Sequence, residues 1–328
     1  MRHVFYRLKI AVKDAAGLWF LSIFRWLERH LTPRTFYSLL RPVFLMRSAL
    51  NNVFKKTTPA PAVPDFLRTP RTVKTRILQR TNGYLNGIVE NFPDRLAGSK
   101  WMANCQFEGL AHLQEAQRNG RPVVLVFCHF GPYYLVHFWL RTMGFPVAGV
   151  VGGNSAMRTR LARLQDRFIP LPEVPGTLYL DQLRELAKFL AAGNLLLMAI
   201  DASTGKQMIV PFCDGWDFQM ATGAIRFAIR HQAELIPCSI IDEGSWHYRI
   251  TLGRPVPREH LTPEADWSRA GKHLLGEMLP LFQTRPDQCG DAMTRRLMRK
   301  TGDPSPDCSR ALWPAGGNAG KTGDARKS

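Results

Sequence analysis

His129 is the residue whose type and position most suggest chemistry. It follows a short apolar, β-branched run, Val123 to Cys128, and precedes Phe130, Gly131 and Pro132. Such a run, bounded by turn residues, reads as a buried strand. Gly131 permits a tight turn. Pro132 suits a first helical turn, where its missing N–H has no partner in any case. A helical pattern follows from Tyr133 to Met143. His129 is therefore expected at the carboxyl end of a strand, beside a helix N-terminus, on the edge where open α/β sheets bind ligands. A neutral imidazole there could take the proton from an attacking hydroxyl. The helix N-terminus and nearby backbone N–H groups could hold developing negative charge. The plainer alternative is a polar residue that only ends the strand.

Asp201 also stands at the end of an apolar run, Leu195 to Ile200. It could orient His129, bind a polar head group, or cap a turn with Ser203 and Thr204. The segment Val210 to Trp216 reads as a strand and a turn. In it Phe212 and Trp216 are candidates to line an acyl pocket, and core packing is the alternative for Phe212. Gly152 to Ser155 form a loop with backbone N–H groups available to an anion. Arg158 and Arg160 follow it, as phosphate ligands or as a solvated face. His129 and His137 are eight apart, and no carboxylate or cysteine completes a metal-ligand spacing. No Ser or Cys has an activating context, so a covalent acyl-enzyme has no evident carrier. No cofactor is implied.

These residues need a scaffold, and the chain supplies one from Arg121 onward. Strand-like runs at Val123–Cys128, Val147–Val151, Leu195–Ile200, Met208–Phe212, Leu235–Ile241 and His247–Leu252 alternate with helical patterns. The helical patterns are Leu178–Leu190, Thr222–Gln232 and Trp267–Phe282. That alternation predicts an α/β fold with a mixed, mostly parallel sheet flanked by helices. His247–Leu252 reads as an edge strand. Residues 72–118 read as mainly helical. Four prolines at 57–71 mark a linker or extended surface segment, and the Gly-, Pro-, Ser- and Lys-rich stretch from 301 to 328 reads as disordered.

The formal net charge of +18 calls for an anionic partner. Sixteen Lys and Arg face three Asp and Glu within residues 1–80, so the excess is mostly away from the candidate chemistry. Residues 1–56 read as helical, with Trp19, Phe20, Ile23, Phe24 and Leu27 among basic residues. That mixture suits a helix lying in an anionic membrane interface, or a packed helix with a solvated basic face. The apolar stretch Ala15–Phe24 is ten residues long, whereas a span needs about 20. No cleavage site follows it. The six cysteines form no close pair, which suggests a reducing compartment. A nucleic-acid partner is not expected, because no recognition motif is present and the basic residues mix with Trp, Phe and Leu.

The stretch Gly109 to Tyr134, GLAHLQEAQRNGRPVVLVFCHFGPYY, resembles the lipid A lauroyl/myristoyl acyltransferases of the glycerolipid acyltransferase superfamily. Three further stretches fit in order: FLAAGNLLLMAIDAS, MIVPFCDGWDFQMATGAIRFAIRHQAELIPCSI, and RPDQ at 285–288. The likeness spans about residues 33–290. It implies an acyltransferase domain over 72–300 and a membrane-associating region over 1–56. The reaction implied is direct transfer from an acyl thioester, on acyl carrier protein or CoA, to a lipid or glycolipid hydroxyl. The place implied is the cytoplasmic face of a bacterial inner membrane. The family pairs its histidine with a carboxylate five residues on, and here that position is Tyr134. A Tyr hydroxyl accepts a hydrogen bond but carries no charge at neutral pH. Asp201 is then the expected charge partner, with Tyr134 shaping the pocket. The alternatives are a slow enzyme, a different acceptor, or a catalytically inactive lipid- or carrier-binding relative.

Overall fold

The computed structural model describes residues 22–24, 26–27, 29–54, 62–67, 73–89, 102–151, 168–170, 180–203 and 205–300. In chain order its elements are α1 (Pro33–Phe54), α2 (Val73–Val89), β1 (Cys105–Glu108), α3 (Leu110–Arg118), β2 (Val123–Phe127), α4 (Val136–Thr142), β3 (Val147–Val151) and β4 (Phe168–Pro170). There follow α5 (Leu180–Ala191), β5 (Leu195–Ala199), β6 (Gln207–Cys213), β7 (Trp216–Ala221), α6 (Gly223–His231), β8 (Glu234–Gly244), β9 (His247–Leu252), α7 (Trp267–Thr284), α8 (Asp291–Thr294) and β10 (Leu297–Arg299).

Seven strands form one sheet in the order β1-β9-β8-β2-β5-β3-β4. All pairs are parallel except β8 with β9. The expected mixed, mostly parallel α/β fold is what the chain adopts. β2 sits inside the sheet between β8 and β5, which is why its run is apolar on both faces. Val123 and Leu125 enter the core beneath α1, α2 and α4. Val124 and Val126 enter the core beneath α5, α6 and α7. A smaller antiparallel sheet, β10-β7-β6, packs beside the second core. Gly271 of α7 allows the close approach, because a Cβ there would press on the side chains of Val210 and Met208.

The structure differs from four sequence expectations. The stretch 72–118 contains β1 as well as helices, and β1 pairs parallel with β9. β9 is thus an interior strand rather than an edge. β7 and β10 were not expected, since β7 (WDFQMA) lacks a continuous apolar run and β10 has three residues. Within the Pro-rich stretch, Val63 and Leu67 are buried in the second core.

α1 and α2 pack as a pair over the first core. Phe44 stacks on Tyr84 at 5.5 Å between ring centres, and the Thr81 hydroxyl donates to Ser48 Oγ at 3.1 Å. The β8–β9 hairpin pins this pair from below. Trp246, wholly buried, donates from Nε1 to the carbonyl of Leu85 at 3.0 Å and meets Phe36 and Tyr37. Its turn holds Ser245 and Trp246 at φ of 53° and 62°, the left-handed pair that a two-residue hairpin requires.

Candidate active site

β2 and β5 are adjacent and parallel, so their carboxyl ends lie side by side. The ladder continues one step further, because the Ile200 N–H donates to Phe127 O at 2.9 Å. Asp201 follows Ile200 just beyond the end of β5, and His129 stands two residues on from Phe127. Asp201 Oδ1 lies 2.7 Å from His129 Nδ1, and its Oδ2 accepts the His129 backbone N–H at 2.8 Å. The Asp201 side chain is fully buried, while that of His129 is 29% exposed.

This geometry assigns the ring proton. A carboxylate only accepts, so Nδ1 must carry the hydrogen and Nε2 keeps its lone pair. The imidazole is thus held, by a buried charge, in the tautomer a general base requires. The Asp201 main chain is tied in turn, since Arg296 Nε donates to its carbonyl at 3.3 Å and Nη1 to Gln219 Oε1 at 3.0 Å.

A strap from the carboxyl end of the chain grips the His129 turn. Gln288 O accepts the Gly131 N–H at 2.9 Å, and the Gly290 N–H donates to His129 O at 2.8 Å. The Gln288 side chain pairs with the main chain of Asp242, accepting from its N–H at 3.0 Å and donating to its carbonyl at 2.7 Å. Both glycines are required. A Cβ on Gly131, at φ of 57°, would collide with Ile240 O, and one on Gly290 would collide with His129 O.

The sequence suggests that backbone N–H groups near His129 could hold a developing oxyanion, but the three N–H groups of this turn are used internally. His129 donates to Asp201, Phe130 to Cys128 O at 2.7 Å, and Gly131 to Gln288 O. The neighbouring helix also begins with a single 3-10 turn, Tyr133–Leu135, ahead of a seven-residue α4. Its aligned dipole is correspondingly small.

Tyr133, which sequence reasoning passed over, is the aromatic neighbour of the base. Its ring meets the imidazole edge-on at 4.5 Å and stacks on Phe127 at 5.3 Å. Tyr134 meets Tyr133 edge-on at 5.6 Å, and its hydroxyl reaches Gly83 O at 3.5 Å. Nδ1 is already taken by Asp201, so Tyr134 does not stand in for a carboxylate. Phe212 is buried among Phe66, Phe218 and Phe282 and acts as core. Trp216 opens β7, partly buried against the second core. Gly152 to Ser155, Arg158 and Arg160 lie outside the described residues.

Two cysteines flank the turn. Burial, reinforced by Asp201, pushes the Cys128 thiol far up, and burial pushes that of Cys289 to about 12. Neither supplies a thiolate at neutral pH, so neither suits a covalent acyl carrier. Among the described residues no group of three His, Cys, Asp or Glu could hold a metal ion.

A family model described as bacterial lipid A biosynthesis acyltransferase matches residues 87–274. Among curated proteins no sequence matches the chain. Six chains among solved structures match. One is the 1-acyl-sn-glycerophosphate (LPA) acyltransferase PlsC from Thermotoga maritima, at 12% identity and a TM-score of 0.36. That match covers 79% of this chain and 95% of the other.

Proposed function

The chain belongs to the bacterial lipid A biosynthesis acyltransferase family and is an acyltransferase acting on lipids, and we propose that it moves a fatty acyl chain from an acyl thioester to a lipid hydroxyl with His129 as general base. The observation that carries this is the buried Asp201 carboxylate on His129 Nδ1 at 2.7 Å. Nε2 takes the acceptor's hydroxyl proton as the oxygen attacks the thioester carbonyl. The tetrahedral intermediate collapses with cleavage of the C–S bond, and the departing thiolate takes the proton back from Nε2. Asp201 stabilises the imidazolium between the two steps. No acyl-enzyme forms. The donor is a thioester on an acidic acyl carrier protein or on CoA, in keeping with the +18 charge.

The reaction takes place at a membrane surface in this reading. Among the described residues no helix is long and apolar enough to cross a bilayer. α1 instead exposes Leu39, Val43, Met46 and Leu50 along one stripe, each between 50% and 62% exposed. Arg34, Arg41 and Arg47 are exposed on the same helix. An apolar stripe with basic flanks fits an anionic leaflet, here the cytoplasmic face of a bacterial inner membrane.

The test is transfer from a medium-to-long acyl thioester to lipid extracts, read by mass spectrometry of the products. The wild type should form one new acylated lipid, and His129→Ala should lose at least about 10²-fold in rate. Near-normal transfer by His129→Ala, in a protein with unchanged thermal unfolding, would falsify the assignment of the base.

A further inference from the structure

α2 meets the catalytic edge at Gln79 and Gly83. Gln79 Nε2 donates to Asp287 O at 2.6 Å, one residue before the strap residue that holds Gly131. Gly83 O receives the Tyr134 hydroxyl at 3.5 Å, and Tyr134 leads through Tyr133 to His129. Arg80 lies three residues before Gly83, about 4.5 Å of helix rise. At 3.6 residues per turn, Arg76, Arg80, Gly83 and Gly87 fall within about 60° of one another around the axis. They point away from the buried Thr81 and Leu85. A Cβ at Gly83 or Gly87 would meet nothing within 4 Å, so the helix has open space beside it at these two positions.

Arg76 and Arg80 are only partly exposed, and Arg76 Nε and Arg80 Nη1 are shielded from water with no hydrogen-bond partner. Among the described residues neither guanidinium has an acidic partner. Other arginines near this edge are committed: Arg285 to Asp287 at 3.1 Å, and Arg296 to Asp201 O and Gln219. A shielded donor left unpaired costs about 1–3 kcal/mol, and two guanidinium groups one turn apart repel. An anion between them removes both penalties. Cβ atoms at i and i+4 stand about 5–6 Å apart, so two guanidinium forks can close on one phosphate.

We propose that Arg76 and Arg80 form a phosphate-binding site beside the catalytic edge and seat the phosphate of the lipid acceptor, an assignment of ligand that rests on the acyl-transfer reading above. The acceptor is favoured over the donor by location. α2 is paired with α1, whose apolar stripe faces the proposed membrane surface, and that is where lipid head groups lie. The site would give a phosphate-bearing lysolipid or glycolipid a fixed point, from which its hydroxyl reaches His129 Nε2.

The test compares the full chain with its Arg76→Gln/Arg80→Gln variant, whose new side chains retain good helix propensity. Calorimetric titration with a short-chain lysophosphatidate, below its micelle concentration, reads binding without turnover. The variant should bind at least tenfold more weakly, and Arg76→Lys/Arg80→Lys should recover part of the loss. In transfer kinetics the KM for the same acceptor should rise tenfold or more. Equal lysophosphatidate binding by both proteins overturns the proposal. So does a KM increase seen with acyl-CoA and absent with an acyl-pantetheine that has no phosphate, since it assigns the pair to the donor. A wild type that binds lysophosphatidate through these arginines but transfers no acyl group leaves the site standing and sinks the acyl-transfer reading instead.

Discussion

Replacing Asp201 by Asn removes one charge and almost no volume, and its cost follows from the two bonds the carboxylate makes. Both oxygens accept, one from the His129 ring at 2.7 Å and one from the His129 N–H at 2.8 Å. An amide has a single accepting oxygen. With that oxygen on the backbone N–H, the amide NH₂ faces Nδ1, which must then accept. The ring proton moves to Nε2 and the base is lost. With the oxygen on Nδ1–H instead, the NH₂ opposes the backbone N–H, leaving shielded donors unpaired at about 1–3 kcal/mol. Either way the imidazolium loses a charge-assisted bond of about 1.5–3 kcal/mol. The barrier should rise by about 3–6 kcal/mol, or roughly 10²- to 10⁴-fold in rate. That range reaches the loss seen when a serine protease triad loses its carboxylate charge. Initial rates with a medium-to-long acyl thioester, from neutral to mildly alkaline pH, give the number, and thermal unfolding shows whether the fold is intact. An Asp201→Asn protein within about fivefold of wild type would refute the tautomer argument and leave His129 without its orienting charge.

Tyr134→Phe removes only a hydroxyl at 3.5 Å from Gly83 O, so the same assay should show less than about a tenfold change. Tyr134→Glu should not raise activity, because Asp201 already occupies His129 Nδ1; an inactive wild type made active by Tyr134→Glu would favour the non-catalytic relative. Gly290→Ala drives a methyl into His129 O and should lower kcat at least about tenfold through displacement of the base; unchanged kcat counts against the strap. With its thiol raised to about 12 by burial, Cys289 stays protonated at mildly alkaline pH, as does Cys128, so peptide mass spectrometry after iodoacetamide should find both unmodified and transfer undiminished. Changing Leu39, Val43, Met46 and Leu50 together to Asn should weaken sedimentation with phosphatidylglycerol vesicles by about a hundredfold or more, at roughly 1 kcal/mol for each half-exposed side chain; undiminished binding would move the membrane contact elsewhere.

Local sequence determined much of this protein. The β-branched Val123–Cys128 run reads as a buried strand, and Gly131 marks a turn after it that brings His129 to the strand end. Leu195–Ile200 likewise placed Asp201 at a strand end, and the βα alternation fixed a mostly parallel sheet. These features are written in residue type and period over a few neighbouring positions. Pairing between distant strands is not. His129 and Asp201 stand 72 residues apart, and nothing local says that β5, rather than β3 or β8, lies beside β2 on the side where the two ends face each other. The same holds for the strap. Gln288 and Gly290 come from the far end of the chain, and their backbone groups, which carry no sequence signal, take up the N–H and carbonyl of the His129 turn. The sequence could name Asp201 as a candidate charge partner, but only the tertiary structure could show that its buried carboxylate meets both Nδ1 and the N–H of His129, that the turn has no N–H left for an oxyanion, and that Tyr133 rather than Tyr134 lies against the imidazole.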